Sequence, residues 1–540
     1  MKRLLAIGAL FAGPLLFSTP AAATTSCEGL ADLKLPHVRI AQAAMVRGGA
    51  LETSGVGGAP RQLNGLPAFC RVTGVSTPRP GSRIGFEVWL PEGVAWSRRL
   101  HMIGNGGYAS DIDYGLMATR IRASDVVVAT DTGHQGADLA FGRERPEAIE
   151  DWGGGRAIHE SVVAAKAITL AYLSAAPAYS YFSGCSTGGH QALSAVQRFP
   201  ADFDGVIAGA PGGNRVNLNL GFLWTFQANH LPGSNTATIL TADKLRLITR
   251  TAVAECDPQD GVTDGVINDP GACGFKVERL RCAAGDQPDC LTDAQVIAAQ
   301  KIYQGPRDAR TGASIIAGYP IGSEGAGPAT SPRPGWAAYW NGANPAEPQR
   351  VDFFRWWAFN DANWNWWTFD WGPGVDAVRR LMSPKVDATA PDLSRFRARG
   401  GKLILFAGWQ DPVVPPMDVV QYYQAVRAHA GAQAQDFTRL YMVPGMGHCQ
   451  GGPGATVFSS ANGGAPPVSD DQHDMGKAIE AWVETRRAPG TLIATRFEEG
   501  SGPSGKIGFQ RPLCVFPAVA RYRGGDSTRA GSFACEAPKG

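Results

Sequence analysis

The sequence lacks a large excess of charged residues of either sign. Its 50 lysine and arginine residues are balanced by 48 aspartate and glutamate residues, which leaves a formal net charge of +2. Proteins that bind nucleic acid need a basic surface against the phosphates, so we expect no nucleic-acid partner. Charged residues are also scarce, at 18% against 44% hydrophobic residues. This composition excludes a wholly disordered chain.

Long apolar runs and paired cysteine motifs are missing as well. Beyond the N-terminal segment there is no run of about 18 or more apolar residues. We therefore expect no membrane-spanning helix in the mature protein. No C-x-x-C pair occurs, which argues against a zinc site built from cysteines.

The N-terminus has the pattern of a secretory signal peptide. A basic pair at 2–3 precedes a short apolar stretch at 4–17 and three alanines at 21–23. We predict a signal peptide over residues 1–23 and a secreted or periplasmic mature protein. The alternative, a membrane anchor, would need a longer apolar span.

Ten cysteines in an oxidising compartment predict five disulfides. Close spacing predicts local bridges, and one further bridge would fix the new N-terminus. The predicted pairs are Cys256–Cys273, Cys282–Cys290, Cys514–Cys535 and Cys27–Cys70. This pairing leaves Cys185 and Cys449, which are far apart in the sequence.

Short apolar runs alternate with helical patterns in two parts of the chain. Strands are predicted at 86–90, 100–104, 125–130, 179–184, 205–210, 402–408 and 437–443, and helices at 156–174, 417–429 and 474–486 and directly after the strand at 179–184. This alternation predicts an α/β fold with a mostly parallel sheet.

The alternation stops between about 212 and 398. This stretch holds four of the ten cysteines and most of the fourteen tryptophans. We interpret it as a large domain inserted into the α/β core. The predicted organisation is a first core part at 24–211, an inserted domain at 212–398 and a second core part at 399–540.

Residues 184–188, GCSTG, match the motif G-x-S-x-G. The motif follows a predicted strand and opens a predicted helix, so the sharp turn would present the Ser186 hydroxyl above the sheet edge. The helix N-terminus adds amide groups and positive partial charge below it. We predict that Ser186 is a nucleophile; the alternative is a serine that caps an ordinary helix.

A nucleophilic serine needs a base, and the base needs an acid to orient it. After this strand–turn–helix element the expected order is serine, acid, histidine. His448 lies in a glycine-rich loop after the strand at 437–443, and Asp411 follows the strand at 402–408. The competitors are His473, interpreted as a solvated cap, and Asp418, which falls on the following helix.

The unpaired cysteines flank two of these candidates. Cys185 directly precedes Ser186, and Cys449 directly follows His448. A bridge between them would hold the nucleophile and the base together. The alternative is that each cysteine pairs elsewhere.

A glycine-rich loop, GNGGY at 104–108, follows the predicted strand at 100–104. A loop of this kind can supply a backbone N–H to a developing oxyanion. We predict that the amides of Gly107 and Thr187, the residue after the nucleophile, bind the oxyanion. The alternative is an ordinary turn.

Taken together, these motifs resemble the tannase and feruloyl esterase family of secreted α/β-hydrolases. The similarity rests on GCSTGG around Ser186, RFPADFDGVIAGAPG at 198–212, GWQDPVVPP and VPGMGHCQGGPG, and covers nearly the whole mature chain. It implies an α/β-hydrolase fold whose large insertion is a lid domain. It also implies a catalytic triad of Ser186, Asp411 and His448, with Cys185 and Cys449 bridged.

The inserted domain contains an acidic loop at residues 256–266, CDPQDGVTDGV. Carboxylates and carbonyls are the ligands that Ca²⁺ prefers. The resemblance implies a structural Ca²⁺ site in the lid; its ligands would be the side chains of Asp257, Asp260 and Asp264 and the carbonyls of Val262 and Val266. Without the resemblance, a solvated acidic turn would be the better interpretation.

The predicted function is hydrolysis of esters of aromatic or phenolic acids, including plant phenolic conjugates, by a secreted serine esterase. Mono(2-hydroxyethyl) terephthalate hydrolysis is one alternative, for which Arg350 and Arg355 are candidates to hold a substrate carboxylate. A catalytically silent protein that binds phenolics or polysaccharides is another. The tryptophan-rich segment at 355–371 is interpreted mostly as lid core, with one or two residues that contact substrate.

Overall fold

The computed structural model describes residues 25–54, 60–93, 96–136, 139–328, 330–342, 344–499 and 505–538. The predicted signal peptide at 1–23 therefore lies outside the described residues. In the described part of the chain, no helix is both long and apolar enough to cross a membrane.

The core of the fold is a nine-stranded sheet, with three small two-stranded sheets beside it. The strands are β1 (Val38–Val46), β2 (Gly49–Ser54), β3 (Pro60–Leu66), β4 (Phe69–Ser76), β5 (Ile84–Pro91), β6 (Arg99–Ile103), β7 (Val126–Thr130), β8 (Tyr179–Cys185), β9 (Gly205–Gly209), β10 (Lys402–Gly408), β11 (Thr438–Val443), β12 (Leu492–Phe497), β13 (Ile507–Leu513), β14 (Val519–Tyr522) and β15 (Phe533–Glu536). The order in the large sheet is β1-β4-β5-β7-β6-β8-β9-β10-β11.

The six strands from β7 to β11 in this order are parallel, and β1, β4 and β5 form an antiparallel edge. The parallel strands are buried on both faces, which explains why their sequences are continuous apolar runs. The mostly parallel sheet predicted from the sequence is confirmed, and each of its seven predicted strands is present, within a residue or two at each end.

In the part of the chain that the structure describes, twelve α-helices surround the sheet or form the insertion. They are α1 (Tyr114–Arg122), α2 (Phe141–Glu144), α3 (Pro146–Gly153), α4 (Arg156–Leu173), α5 (Thr187–Arg198), α6 (Arg215–Asn229), α7 (Ala242–Cys256), α8 (Asp293–Gln304), α9 (Pro373–Val386), α10 (Ser394–Ala398), α11 (Pro416–Ala430) and α12 (Met475–Thr485).

Alternate residues of the central strands pack on opposite faces of the sheet. Leu403 and Leu405 belong to the cluster that α4, α5 and α11 cover. Ile404 and Phe406 belong to the cluster on the other face, which α12 covers with Ile479. The sheet is therefore held between two helical layers, as an α/β fold requires.

The long segment between β9 and β10 adds no strand to the large sheet among its described residues, although these two strands are neighbours. It folds into α6 to α10, short 3₁₀ turns and irregular loops, with an apolar cluster of its own around Trp336 and Trp340. A second cluster joins α6 and α9 to α3 of the core. The insertion is thus visible in the topology, and its division into a separate lid domain at 212–398 stays a prediction.

All five predicted disulfide pairs are bonded. Cys27–Cys70 ties the first described residues to β4, and Cys514–Cys535 links the two small C-terminal hairpins. Cys256–Cys273 and Cys282–Cys290 lie in the insertion. Cys185–Cys449 joins two residues that are 264 positions apart.

Candidate active site

Ser186 lies in the sharp turn between β8 and α5. Its backbone has φ 63° and ψ −120°, a conformation that costs a non-glycine residue about 1–3 kcal/mol. Two hydrogen bonds hold it: Ser186 N donates to the Gly209 carbonyl at 2.9 Å, and His190 N donates to the Ser186 carbonyl at 3.0 Å. The turn is therefore fixed from both sides, and the serine is lifted to the C-terminal edge of the sheet.

Two glycines make this turn possible. A Cβ atom at Gly184 would lie 2.6 Å from the Cα of Gly188, and a Cβ atom at Gly189 would lie 2.3 Å from the carbonyl oxygen of Gly209. Both distances are far inside van der Waals contact. The G-x-S-x-G spacing thus reflects the close approach of α5 to β8 and β9.

His448 connects the serine to a buried carboxylate. Its Nε2 lies 2.8 Å from Ser186 Oγ, and its Nδ1 lies 2.8 Å from Asp411 Oδ2. The three residues come from loops that follow β8, β10 and β11, so the parallel sheet brings their side chains to one edge. This is the geometry in which an imidazole can accept a serine proton.

The Asp411 carboxylate is held in place by hydrogen bonds. The side chain is fully buried, and Oδ1 accepts hydrogen bonds from Val413 N at 2.8 Å and Val414 N at 3.0 Å. With His448 Nδ1 on Oδ2, three donors surround the carboxylate. Such a set stabilises a buried charge and fixes its orientation.

The structure separates the competitors from this site. His473 pairs with Asp470 just before α12, at 2.8 Å. Asp418 lies on α11, where it accepts a hydrogen bond from Asn214 at 3.1 Å and where burial raises its pKa to about 6. Neither side chain contacts Ser186 or His448 in the described part of the chain.

The Cys185–Cys449 bridge lies beside the three residues. Its Cα atoms are 5.9 Å apart, and Cys449 has a positive φ of 66°. Because Cys185 precedes Ser186 and Cys449 follows His448, the bridge covalently ties the serine loop to the histidine loop.

The glycine-rich loop at 104–108, hereafter the oxyanion loop, is anchored to the start of α5. The Gln191 side chain accepts a hydrogen bond from Asn105 N at 3.0 Å. Thr187 Oγ1 donates to the Gly107 carbonyl at 2.6 Å. Gly107 has φ +57°, which glycine adopts without strain. The structure thus brings Gly107 and Thr187 together beside Ser186.

Two arginines lie against this loop, and no sequence motif marks the first of them. Arg215, at the start of α6, is only 5% exposed, and its Nη2 lies 3.3 Å from Thr187 Oγ1. Arg350 has its guanidinium 5.0 Å from the centre of the Tyr108 ring, and a Cβ atom at Gly107 would lie 3.2 Å from its Nη2. The insertion therefore places positive charge beside the oxyanion loop.

The two predicted carboxylate-binding candidates differ in their surroundings. Arg355 is paired with Glu347 at 2.9 Å and with Asp352 at 2.8 Å. Arg350 has no ion pair within 4.0 Å among the described residues. Of these two candidates, it is Arg350 that lies next to the oxyanion loop without a paired carboxylate among the described residues.

The tryptophan-rich segment packs mainly on itself. Trp357 is buried between Tyr108 and Trp152, and it donates a hydrogen bond to the Leu139 carbonyl at 2.7 Å. Trp364 stacks on Phe354. These contacts are those of a packed core, and they join the segment to the oxyanion loop through Tyr108.

The carboxylates of the acidic loop are engaged by backbone amides. Asp257 accepts from Asp264 N and Gly265 N at 3.1 and 2.8 Å, and Asp260 accepts from Val262 N at 3.0 Å. Asp264 accepts from Val266 N at 3.2 Å and is also paired with an arginine of β13. Nowhere in the described ranges are three acidic, histidine or cysteine side chains grouped as metal ligands.

The donor chemistry of the acidic loop nevertheless suits a hard cation. All its donors are oxygen atoms, which Ca²⁺ prefers. Burial raises the pKa of Asp260 to about 6, and the nearby charges of Asp264 and Asp257 act in the same direction. A divalent cation would relieve this repulsion.

Comparison with known proteins identifies the family. A sequence model of "Tannase and feruloyl esterase" matches residues 70–536. The chain is 38% identical to an uncharacterized esterase of Xanthomonas campestris, over all of this chain and 95% of that protein. It is 29% identical to mono(2-hydroxyethyl) terephthalate hydrolase of Piscinibacter sakaiensis, over 96% of this chain and 93% of the relative. Feruloyl esterase B from Aspergillus oryzae has a crystal structure with a TM-score of 0.84 and 26% identity, covering 94% of this chain and 99% of that one.

Proposed function

The chain belongs to the tannase and feruloyl esterase family of carboxylic ester hydrolases, and from this premise we propose that it hydrolyses esters of phenolic and other aromatic acids through an acyl-enzyme on Ser186. The observation that carries the proposal is the chain of two 2.8 Å contacts from Asp411 through His448 to Ser186.

In the first step Ser186 Oγ attacks the ester carbonyl carbon, and its proton passes to His448 Nε2. His448 then gives this proton to the leaving alcohol as the ester C–O bond breaks. Asp411 holds the imidazole with Nδ1 protonated and stabilises its positive charge. A water molecule, deprotonated by His448, attacks the acyl-enzyme, and the acid and free Ser186 are released.

The amides of Gly107 and Thr187 are proposed to bind the carbonyl oxygen when it becomes an oxyanion. A donor of this kind contributes about 3–4 kcal/mol to lowering the barrier. The contact between Thr187 Oγ1 and the Gly107 carbonyl supports this assignment because it holds the two residues side by side.

The acyl group is proposed to be aromatic. Support comes from the A. oryzae feruloyl esterase of the same fold and from the aromatic side chains Tyr108 and Trp357, which pack together at the oxyanion loop. Aromatic side chains near a reacting centre can stack on planar acyl groups.

A panel of esters tests the proposal. It contains methyl ferulate, methyl gallate, mono(2-hydroxyethyl) terephthalate and a short aliphatic p-nitrophenyl ester, each assayed with the wild type and with Ser186→Ala. We expect turnover of at least one aromatic ester, abolished in the variant. Turnover of the aliphatic ester alone would contradict the aromatic acyl site and leave the serine mechanism standing.

A second candidate substrate class is the half-ester of an aromatic dicarboxylic acid. The observation that favours it is the uncompensated charge of Arg350 beside Gly107. If Arg350 binds the free carboxylate, Arg350→Gln raises KM for mono(2-hydroxyethyl) terephthalate at least tenfold and changes KM for methyl ferulate less than twofold. Equal changes for both esters would contradict this role.

We further propose that the mature protein is secreted or periplasmic, which its five disulfides support. A structural Ca²⁺ ion is proposed for the acidic loop, with Asp257, Asp260 and Asp264 and the carbonyls of Val262 and Val266 as ligands. When bound, the ion would neutralise the clustered carboxylates. It takes no part in the chemistry of Ser186.

A further inference from the structure

Arg215 is an arginine buried without a counterion. It is 5% exposed, and no carboxylate lies within 4.0 Å of it among the described residues. Asp387 acts on it only from a greater distance, and burial together with the charge of Arg350 lowers the pKa of Arg215. Its Nε has no hydrogen-bond partner in the described part of the chain. A buried charge left in this state destabilises the folded protein.

The surroundings of Arg215 explain how the charge is held. Its guanidinium carbon lies 5.2 Å from the Trp152 ring and 5.9 Å from the Tyr108 ring, and aromatic faces stabilise a cation. Gly212 leaves room for the guanidinium, since a Cβ atom there would lie 3.3 Å from Arg215 Nη2. The site is therefore shaped around the arginine, although no described carboxylate lies within 4.0 Å of it.

Among the described residues, the guanidinium of Arg215 makes one hydrogen bond, which leads to the reacting centre. Nη2 donates to Thr187 Oγ1 at 3.3 Å, and that hydroxyl donates to the Gly107 carbonyl at 2.6 Å. Because Thr187 Oγ1 must accept from Arg215, its proton is directed to Gly107. The guanidinium thus orients the contact that ties α5 to the oxyanion loop, and the amides of both linked residues are the proposed oxyanion donors.

We propose that Arg215 is a positioning residue whose buried charge, acting through Thr187, holds the Gly107–Thr187 pair in place and is compensated when the oxyanion forms. The inference rests on the proposed function. In the ester complex the substrate carbonyl is neutral, so the charge of Arg215 is unmatched. When Ser186 Oγ bonds to the carbonyl carbon, the π electrons move to oxygen and the serine proton moves to His448. The new negative charge then lies beside Thr187, in a poorly screened environment.

The proposal predicts a loss in kcat rather than in substrate binding. Arg215→Gln should lower kcat about 10- to 100-fold, less than the loss of a direct oxyanion donor, and should change KM less than threefold. Arg215→Lys keeps the charge and should recover at least half of the loss on a logarithmic scale. Arg99→Gln is the control, because Arg99 lies at the other end of β6, paired with Glu484 at 2.7 Å; its kcat should stay within twofold of the wild type.

Phenylboronic acid provides a readout that a merely structural role would not change. Ser186 Oγ adds to boron and forms a tetrahedral anion, which places negative charge at the oxyanion position. Arg215→Gln should weaken inhibition by phenylboronic acid by the same factor as kcat, while inhibition by the product acid changes less than threefold. A variant with normal kcat, or with equal losses for boronate and product, would overturn the proposal.

Thr187→Val tests the role of the Arg215–Thr187 hydrogen bond if Arg215→Gln does not fold. This change removes the hydroxyl and keeps the backbone amide, so kcat should fall at least fivefold with KM unchanged. A kcat within twofold of the wild type would overturn the proposal. Failure of the proposed function would be recognised separately, because Ser186→Ala would then keep the turnover of the wild type. That result would overturn this inference too.

Discussion

Replacing Asp411 by asparagine tests the triad at its most buried member. The substitution keeps the shape of the side chain and removes its charge. In the structure Oδ1 accepts hydrogen bonds from Val413 N and Val414 N, and Oδ2 faces His448 Nδ1 at 2.8 Å. The asparagine side chain has one oxygen and one NH₂ group, so only one of the two can face the backbone donors while the other faces His448 Nδ1.

The two backbone donors decide the orientation of the amide. If the NH₂ group faced them, two N–H donors would lose their acceptor, at about 1–3 kcal/mol each. The amide oxygen therefore takes the position of Oδ1, and the NH₂ group faces His448 Nδ1. That nitrogen must then be an acceptor, so the ring proton moves to Nε2, which faces Ser186 Oγ. In this tautomer His448 cannot accept the serine proton.

We expect Asp411→Asn to lower kcat by about 10⁴, equivalent to about 5.4 kcal/mol of transition-state stabilisation. The assay is steady-state turnover of the best ester of the panel, with a thermal melt to establish that the variant is folded. Asp418→Asn is the matched control: Asp418 is partly buried and also follows β10, yet its side chain accepts its hydrogen bond from Asn214, so its kcat should stay within twofold. A loss of less than tenfold in Asp411→Asn would refute the assignment of Asp411.

Three further predictions concern stability. Replacing both Cys185 and Cys449 by serine should lower the free energy of unfolding by up to about 5 kcal/mol and should lower kcat, measured by urea titration and ester turnover; unchanged values for both would contradict the role of the bridge. Although burial opposes its charged form, the hydrogen bond and charge of Asp202 raise the pKa of His159 above 6.5. This stabilisation is complete below pH 6.5 and is lost as the pH rises through the raised value, so Tm should fall less over that range in His159→Gln than in the wild type; parallel curves would contradict it. Excess EGTA should lower Tm before it affects turnover if the acidic loop binds an exchangeable Ca²⁺, and an unchanged melting curve would argue against that ion.

The parts of the fold that could be predicted are those with an unambiguous burial pattern. β7 (Val126–Thr130) and β10 (Lys402–Gly408) are apolar throughout because both faces of a parallel strand are covered. Of the antiparallel edge, β5 was predicted, and β1 and β4 were not. In β1 (Val38–Val46) only one residue is buried, so the strand lacks both the continuous and the alternating pattern. The hairpins β12–β13 and β14–β15 are similarly half-exposed and were missed.

The residues of the candidate site could be predicted where a local motif marks them. Ser186 has its pentapeptide, and Asp411 and His448 each lie in a loop directly after a predicted strand. Arg215 has no such signal, because its burial results from the packing of α6 against the oxyanion loop and Trp152. From the sequence, Arg350 and Arg355 are equal candidates to hold a substrate carboxylate. The structure distinguishes them, because Arg355 is paired with two acidic side chains.

Covalent labelling of Ser186 tests the central claim most directly. The purified mature protein is treated with a fluorophosphonate, digested and mapped by mass spectrometry, with Ser186→Ala and His448→Ala treated in parallel. We expect one adduct, on the peptide that contains Ser186. We expect no adduct in Ser186→Ala and at least 100-fold slower labelling in His448→Ala. An adduct on another residue, or full ester turnover by Ser186→Ala, would contradict the claim.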